Sequence, residues 1–248
     1  GDDQTKEKIA LVFYGESGDR KEISYQDLYN QVSQLVQVLR VMDVHEGDRV
    51  AAFMPNTIES VIGMLATSSL GAVWSSCSPD FGINGVFDRF NQIKPKVLIA
   101  TDGYFYNGKK IDTASRVKEI GDKIASIKSM LVVNFTGGYE NSLLVHQANA
   151  IEWECALSRY KPRSIEFAQV PFNHPLYILY SSGTTGIPKC IVHSVGGTLI
   201  QHLKEHLLHT DLKREDTLFY FTTCGWMMWN WLVSGLAVGS TVVLYDGA

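Results

Sequence analysis

Short apolar runs alternate with helical patterns along this chain, and that alternation points to parallel sheets covered on both faces. The spacing predicts strands at 9–14, 50–54, 72–76, 97–100 and 130–133. Between the first two, Leu28, Val32, Leu35, Val36 and Leu39 recur on one helical face behind a cap formed by Ser24 and Asp27. Residues 57–70 read as a buried helix, and shorter helices are expected over 86–92 and 113–124, with loops at 136–138 and 161–163. Later come strands at 176–180 and 190–193, then a helix from Ser194 through Leu208. A strand, helix and strand follow at 217–221, 229–236 and 241–244. The expected fold is therefore α/β: stacked, mostly parallel sheets with helices on both faces.

The connection after the strand at 176–180 is chemically the most pointed part of the chain. Tyr180-Ser181-Ser182-Gly183-Thr184-Thr185-Gly186-Ile187-Pro188-Lys189 places two glycines, four hydroxyls and a lysine in ten residues. Gly183 and Gly186 free the backbone for positive φ and let N–H groups converge on an anion. Ser181, Ser182, Thr184 and Thr185 add rotatable donors, and Lys189 adds a positive charge. The pattern suits phosphate. It is not a Walker A loop, because Ile187 and Pro188 separate Gly186 from Lys189, and Cys190 follows where Ser or Thr belongs.

This loop resembles the phosphate-binding signature of the adenylate-forming superfamily, which includes the acyl-CoA synthetases. The resemblance extends to Gly47-Asp48-Arg49-Val50-Ala51-Ala52-Phe53-Met54-Pro55-Asn56 and to the segment from Leu70 to Gly82. Trp226-Met227-Met228-Trp229-Asn230-Trp231 is similar to the acetoacetate-activating members of the short-chain branch. The resemblance implies ATP-dependent activation of a carboxylate as an acyl adenylate, followed by transfer to coenzyme A (CoA), with Mg²⁺ assisting. It implies that Ser181, Ser182, Gly183, Thr184, Thr185, Gly186 and Lys189 hold ATP phosphates, with Lys189, Thr184 and Thr185 closest to the chemistry. It also implies that Trp226, Met227 and Met228 wall the acyl pocket, the alternative for these large side chains being core packing. Gly82, Lys109 and Lys110 fall near the segments expected to meet CoA, with lysine where relatives use arginine. Plain solvated lysines are the alternative there.

On the same resemblance, residues 1–248 are expected to be an incomplete large N-terminal domain, without a small C-terminal domain and inactive alone. A non-catalytic nucleotide-binding role is the alternative. The net charge of −4 disfavours a nucleic-acid partner. Cys77, Cys155, Cys190 and Cys224 form no C-x-x-C pair and fit reduced thiols in the cytosol. The uncharged stretch 219–245 is broken by glycines and polar residues, which favours a buried helix and strand over a membrane span. His202, His206 and His209 stand at metal-ligand spacing on one predicted helix. An amphipathic core helix explains them better, so no metal site is expected. His193 is expected to be structural.

Overall fold

The computed structural model describes residues 3–181 and 186–248. A short helix α1 (Asp3–Lys6) leads to strands β1 (Ile9–Gly15) and β2 (Arg20–Ser24). Ser24 then caps α2 (Tyr25–Val41), its side chain accepting the Asp27 N–H at 3.0 Å, and the predicted apolar stripe of this helix is buried. Alternation continues through β3 (Arg49–Phe53), α3 (Ile58–Ser69), β4 (Val73–Cys77), α4 (Ile83–Ile93) and β5 (Val97–Thr101).

A hairpin, β6 (Gly103–Tyr106) and β7 (Lys109–Asp112), comes next and was not anticipated. Its turn residues Asn107 and Gly108 have φ of 50° and 70°, the two positive values that a tight hairpin turn requires. There follow α5 (Ala114–Lys123), β8 (Ser129–Val133), β9 (Ala150–Glu152) and α6 (Trp153–Leu157). The last third contains β10 (Pro175–Tyr180), β11 (Cys190–Ser194), α7 (Val195–Lys204), β12 (Thr217–Phe219), α8 (Met227–Val233) and β13 (Thr241–Asp246).

The main sheet has the order β11-β10-β4-β3-β5-β8-β9, and every neighbouring pair is parallel except β10 with β11. A second sheet, β12-β13-β1-β2, is parallel except for β1 with β2. Strand β5 shows why both faces must be covered. Val97 and Ile99 enter one core with residues of α2 and α3, while Leu98 and Ala100 enter another with residues of α4 and α5.

Several boundaries differ from the sequence reading: α4, for one, starts at Ile83 rather than at 86, and β13 runs on to Asp246. The helix expected through Leu208 is α-helical only to Lys204 and widens into a π turn at Glu205–His209. Strand β12 stops at Phe219 rather than Phe221. Helix α8 starts at Met227, two residues early, and ends at Val233 before a 3₁₀ turn at Ser234–Val238. No helix among the described residues is long and apolar enough to cross a membrane.

Candidate functional site

Strands β10 and β11 form a rigid base for the predicted phosphate loop. Their pairing runs to Tyr180 opposite Cys190, and the Ser181 N–H then donates to the Lys189 carbonyl at 3.0 Å. The Lys189 N–H faces Ser181 Oγ at 3.3 Å. These bonds draw the two ends of the loop together while leaving the Lys189 side chain exposed. Gly186 has φ of 138°, a conformation that a side chain strongly disfavours. Ser182, Gly183, Thr184 and Thr185 lie outside the described residues.

Helix α4 supports the loop from one side. Gln92 donates its Nε2 to the Pro188 carbonyl at 2.8 Å, and its Oε1 stands 3.7 Å from Cys190 Sγ. One turn earlier, the Arg89 guanidinium lies 4.6 Å from the Phe81 ring centroid and 5.7 Å from that of Tyr180. The Tyr180 hydroxyl is 2.9 Å from Ser75 Oγ. Burial pushes its pKa upward, so it stays neutral and serves as a fixed dipole under the loop. Neither Gln92 nor Arg89 belongs to a recognisable motif.

The segment around Trp226 reaches the same end of the sheet. Strand β4 neighbours β10, and a Cβ placed on Gly225 would sit 3.4 Å from Phe81 Cε2 and 3.6 Å from the Ser78 nitrogen, just beyond β4. Side chains from β4 and from the loop after β3 hold this segment down. Ser76 Oγ donates to the Cys224 carbonyl at 2.6 Å, while Asn56 Nδ2 donates to the Thr222 carbonyl at 3.3 Å. Asn56 Oδ1 also accepts the Trp229 indole N–H at 2.8 Å.

Trp229 is fully buried and stacks on Trp74, with ring centroids 6.3 Å apart and planes at 20°. Trp226 and Met227 are instead 63% and 46% exposed. Core packing thus explains Trp229 but not its two neighbours, and Met228 is half-buried between these extremes.

Gly82 is the N-cap residue of α4, and Lys109 and Lys110 project from the exposed β7. The Lys110 ammonium donates to the Thr136 carbonyl at 2.7 Å. Arg116 links the two places: it donates to the Pro79 carbonyl at 2.8 Å, and its guanidinium sits 5.9 Å from the ring of Tyr104 in the hairpin. The hairpin base is fixed by buried Asp102, which accepts Thr136 N at 2.9 Å and Gly138 N at 2.6 Å.

In the histidine helix, His206 has structural partners. His206 Nε2 lies 2.9 Å from both the Trp231 carbonyl and Ser234 Oγ, and His202 is buried whereas His209 is exposed. Among the described residues, no group of three or more His, Cys, Asp or Glu side chains is placed to hold a metal. His193 packs on the Tyr177 ring, centroids 5.0 Å apart, and burial lowers its pKa. All four cysteines are free; burial pushes the Cys77 thiol up to about 12, which makes it an inert core residue.

The model of the AMP-binding enzyme family matches residues 2–248. An acetoacetyl-coenzyme A synthetase of Rhizobium meliloti (strain 1021) is 51% identical over 239 residues, which cover 96% of this chain and 36% of that relative. A malonamoyl-CoA synthetase of Penicillium aethiopicum is 42% identical over 246 residues, 98% of this chain and 34% of the relative. The solved structure of acetoacetyl-CoA synthetase from Streptomyces lividans superposes with a TM-score of 0.91 at 41% identity, covering 97% of this chain and 36% of that one. The chain thus spans about a third of the length of the proteins it matches.

Proposed function

We propose, from the premise that the chain belongs to the AMP-binding enzyme family, that it forms part of an acid–thiol ligase converting acetoacetate, ATP and CoA to acetoacetyl-CoA, AMP and pyrophosphate. The observation that supports this most directly is the similarity along nearly the whole chain to synthetases named for that product. It is joined by a loop of phosphate-binding composition whose ends are drawn together by Ser181 and Lys189.

A carboxylate is a poor acyl donor because oxide is its leaving group. Attack of its oxygen on the α-phosphorus of ATP forms a carboxyl–phosphate bond and breaks the bond to the β-phosphate bridging oxygen, releasing pyrophosphate. The CoA thiolate then displaces AMP. The acid supplies the first nucleophile and the cosubstrate the second, so no enzyme nucleophile is required. Positioning and charge stabilisation are the protein's task.

In this reading Ser181, Gly186 and Lys189, with Ser182, Gly183, Thr184 and Thr185, engage the phosphates. Trp226, Met227 and Met228 face the acid, and the exposure of Trp226 and Met227 in this chain supports that role over core packing. Gly82, Lys109 and Lys110 receive the nucleotide end of CoA, with Arg116 joining their segments. Residues 1–248 would form part of the large N-terminal domain, acting in the cytosol. Acetoacetate and malonamate share a carbonyl two bonds beyond the carboxyl carbon, so the acid class supported is a short acid with a ketone or amide carbonyl at C3. Pyrophosphate exchange by a chain of the relatives' full length tests the proposal. Exchange with acetoacetate well above that with acetate or butyrate is the expected result, and equal rates with all three would overturn the acid assignment.

A further inference from the structure

The loop between β10 and β11 stands at the margin of the main sheet. Among the described residues β11 is the edge strand and pairs only with β10, and the ladder joins β10 to β4 only where Tyr177 faces Trp74. The two ends of the loop are hydrogen-bonded to each other through Ser181 and Lys189. The ladder does not fix them to the rest of the sheet.

Helix α4 supplies that connection through two residues one turn apart. At the loop entry, the Arg89 guanidinium lies over the rings of Phe81 and Tyr180, and the Tyr180 hydroxyl is anchored 2.9 Å from Ser75 Oγ. The charge of Arg89 is not neutralised elsewhere. Among the described residues it forms no ion pair, and its one hydrogen bond returns to the Gly85 carbonyl of its own helix at 2.7 Å. At the loop exit, the Gln92 Nε2 donates both to the Asp88 carbonyl of α4 at 2.6 Å and to the Pro188 carbonyl at 2.8 Å. Both amide hydrogens are thereby used, and the carboxamide is a bridge fixed at each end. Spaced i and i+3, the two side chains leave one face of the helix and hold opposite ends of one loop.

We propose that Arg89 and Gln92 are positioning residues for adenylate formation, acting through Tyr180 and Pro188 without touching substrate. The inference rests on the reading of this loop as the phosphate site and adds what sets the loop's geometry. Attack on the α-phosphorus requires alignment with the carboxylate oxygen, and a displacement of about 1 Å can cost about a hundredfold in rate. Loosening either grip therefore acts on turnover more than on affinity for the acid.

Pyrophosphate exchange by a chain of the relatives' full length tests this, with hydrogen exchange at the Ser181 amide as a second readout. Arg89→Met keeps an apolar stem but removes the cation, and Gln92→Leu removes the bridge. Each is expected to lower the rate at saturating substrates about tenfold, to leave the KM for acetoacetate within about twofold, and to hasten hydrogen exchange at Ser181. Arg89→Lys, which keeps a cation for the rings, should recover most of the rate lost in Arg89→Met. A raised KM for ATP at unchanged turnover would make Arg89 a direct phosphate ligand and overturn the assignment. So would rates equal to the parent's, or a loss no larger than the fall in folded fraction, which marks a packing role. Lys189→Ala measured alongside separates the two readings. Exchange slowed by Lys189→Ala but not by Arg89→Met or Gln92→Leu rejects the positioning role alone, whereas three silent variants reject the phosphate reading with it. If Arg89→Met fails to fold, Gln92→Leu decides, since that side chain is exposed.

Discussion

The Asn56 carboxamide accepts the Trp229 indole N–H at 2.8 Å and donates to the Thr222 carbonyl at 3.3 Å, tying together residues that stand more than 160 positions apart. Both ends of the bridge are buried. Asn56→Leu keeps the volume but orphans the indole N–H and the carbonyl, so it should cost about 1–3 kcal/mol of stability. Urea unfolding measures this directly. A variant as stable as the parent would show that the bridge contributes nothing to the fold.

Met227 provides the contrasting case. Being 46% exposed, it should be trimmed to alanine with a stability change within about 0.5 kcal/mol. In a full-length chain the Met227→Ala, Met228→Ala double variant should shift acid preference toward longer acids by about 1–3 kcal/mol per added methylene. Competition between acetoacetate and a longer 3-oxo acid would reveal the shift. A uniform loss with every acid, together with a lower melting temperature, would return these residues to a packing role.

Lys189 is exposed at the loop exit. If it contacts ATP phosphates, Lys189→Ala in a full-length chain should remove a charge-assisted bond of about 1.5–3 kcal/mol and slow pyrophosphate exchange tenfold or more. Unfolding of the variant should be unaltered. An unchanged exchange rate would take Lys189 out of the site.

Two titrating groups, the buried His202 and the half-buried Asp246, oppose each other as the pH falls. His202 is lowered from 6.5 to about 4 by burial, so below pH 6.5 the unfolded chain binds a proton that the folded chain refuses, and stability drops. Asp246 is raised from 3.8 to about 7, chiefly by burial and also by Glu16 and Asp80, so between pH 7 and 3.8 the folded chain binds the extra proton and stability rises. Asp246→Asn should therefore steepen the loss of stability between pH 7 and 5, whereas His202→Gln should flatten it. Denaturation midpoints at several pH values separate the two, and identical slopes in both variants would refute the opposition.

The alternating sheet-and-helix plan was legible because β3, β4, β5 and β8 are buried on both faces, and β3, β5 and β8 read as runs of four apolar residues, while β4 is interrupted by Ser75 and Ser76. The β6–β7 hairpin was missed because four-residue strands carry too little alternation, although Asn107-Gly108 is a strong turn signal. The end of α7 depends on tertiary context. The π turn carries His206 to the Trp231 carbonyl and Ser234, a partnership invisible to local periodicity. For the site, composition exposed the loop but not its supports. Gln92 meets Pro188 across 96 positions, and Arg116 meets Pro79 across 37, with no motif at either end.

Helix α4 joins two of these places mechanically. It begins beside Gly82 and, ten residues later, Gln92 grips the carbonyl of Pro188 at the loop exit. An α-helix of that length is a stiff rod of roughly 15 Å. Tilting it by some 10° about its middle would displace the Pro188 end by roughly 1 Å, about the tolerance within which reacting groups must be held. The stretch proposed to meet CoA and the loop proposed to grip ATP are thus opposite ends of one lever, and a load at either end is felt at the other.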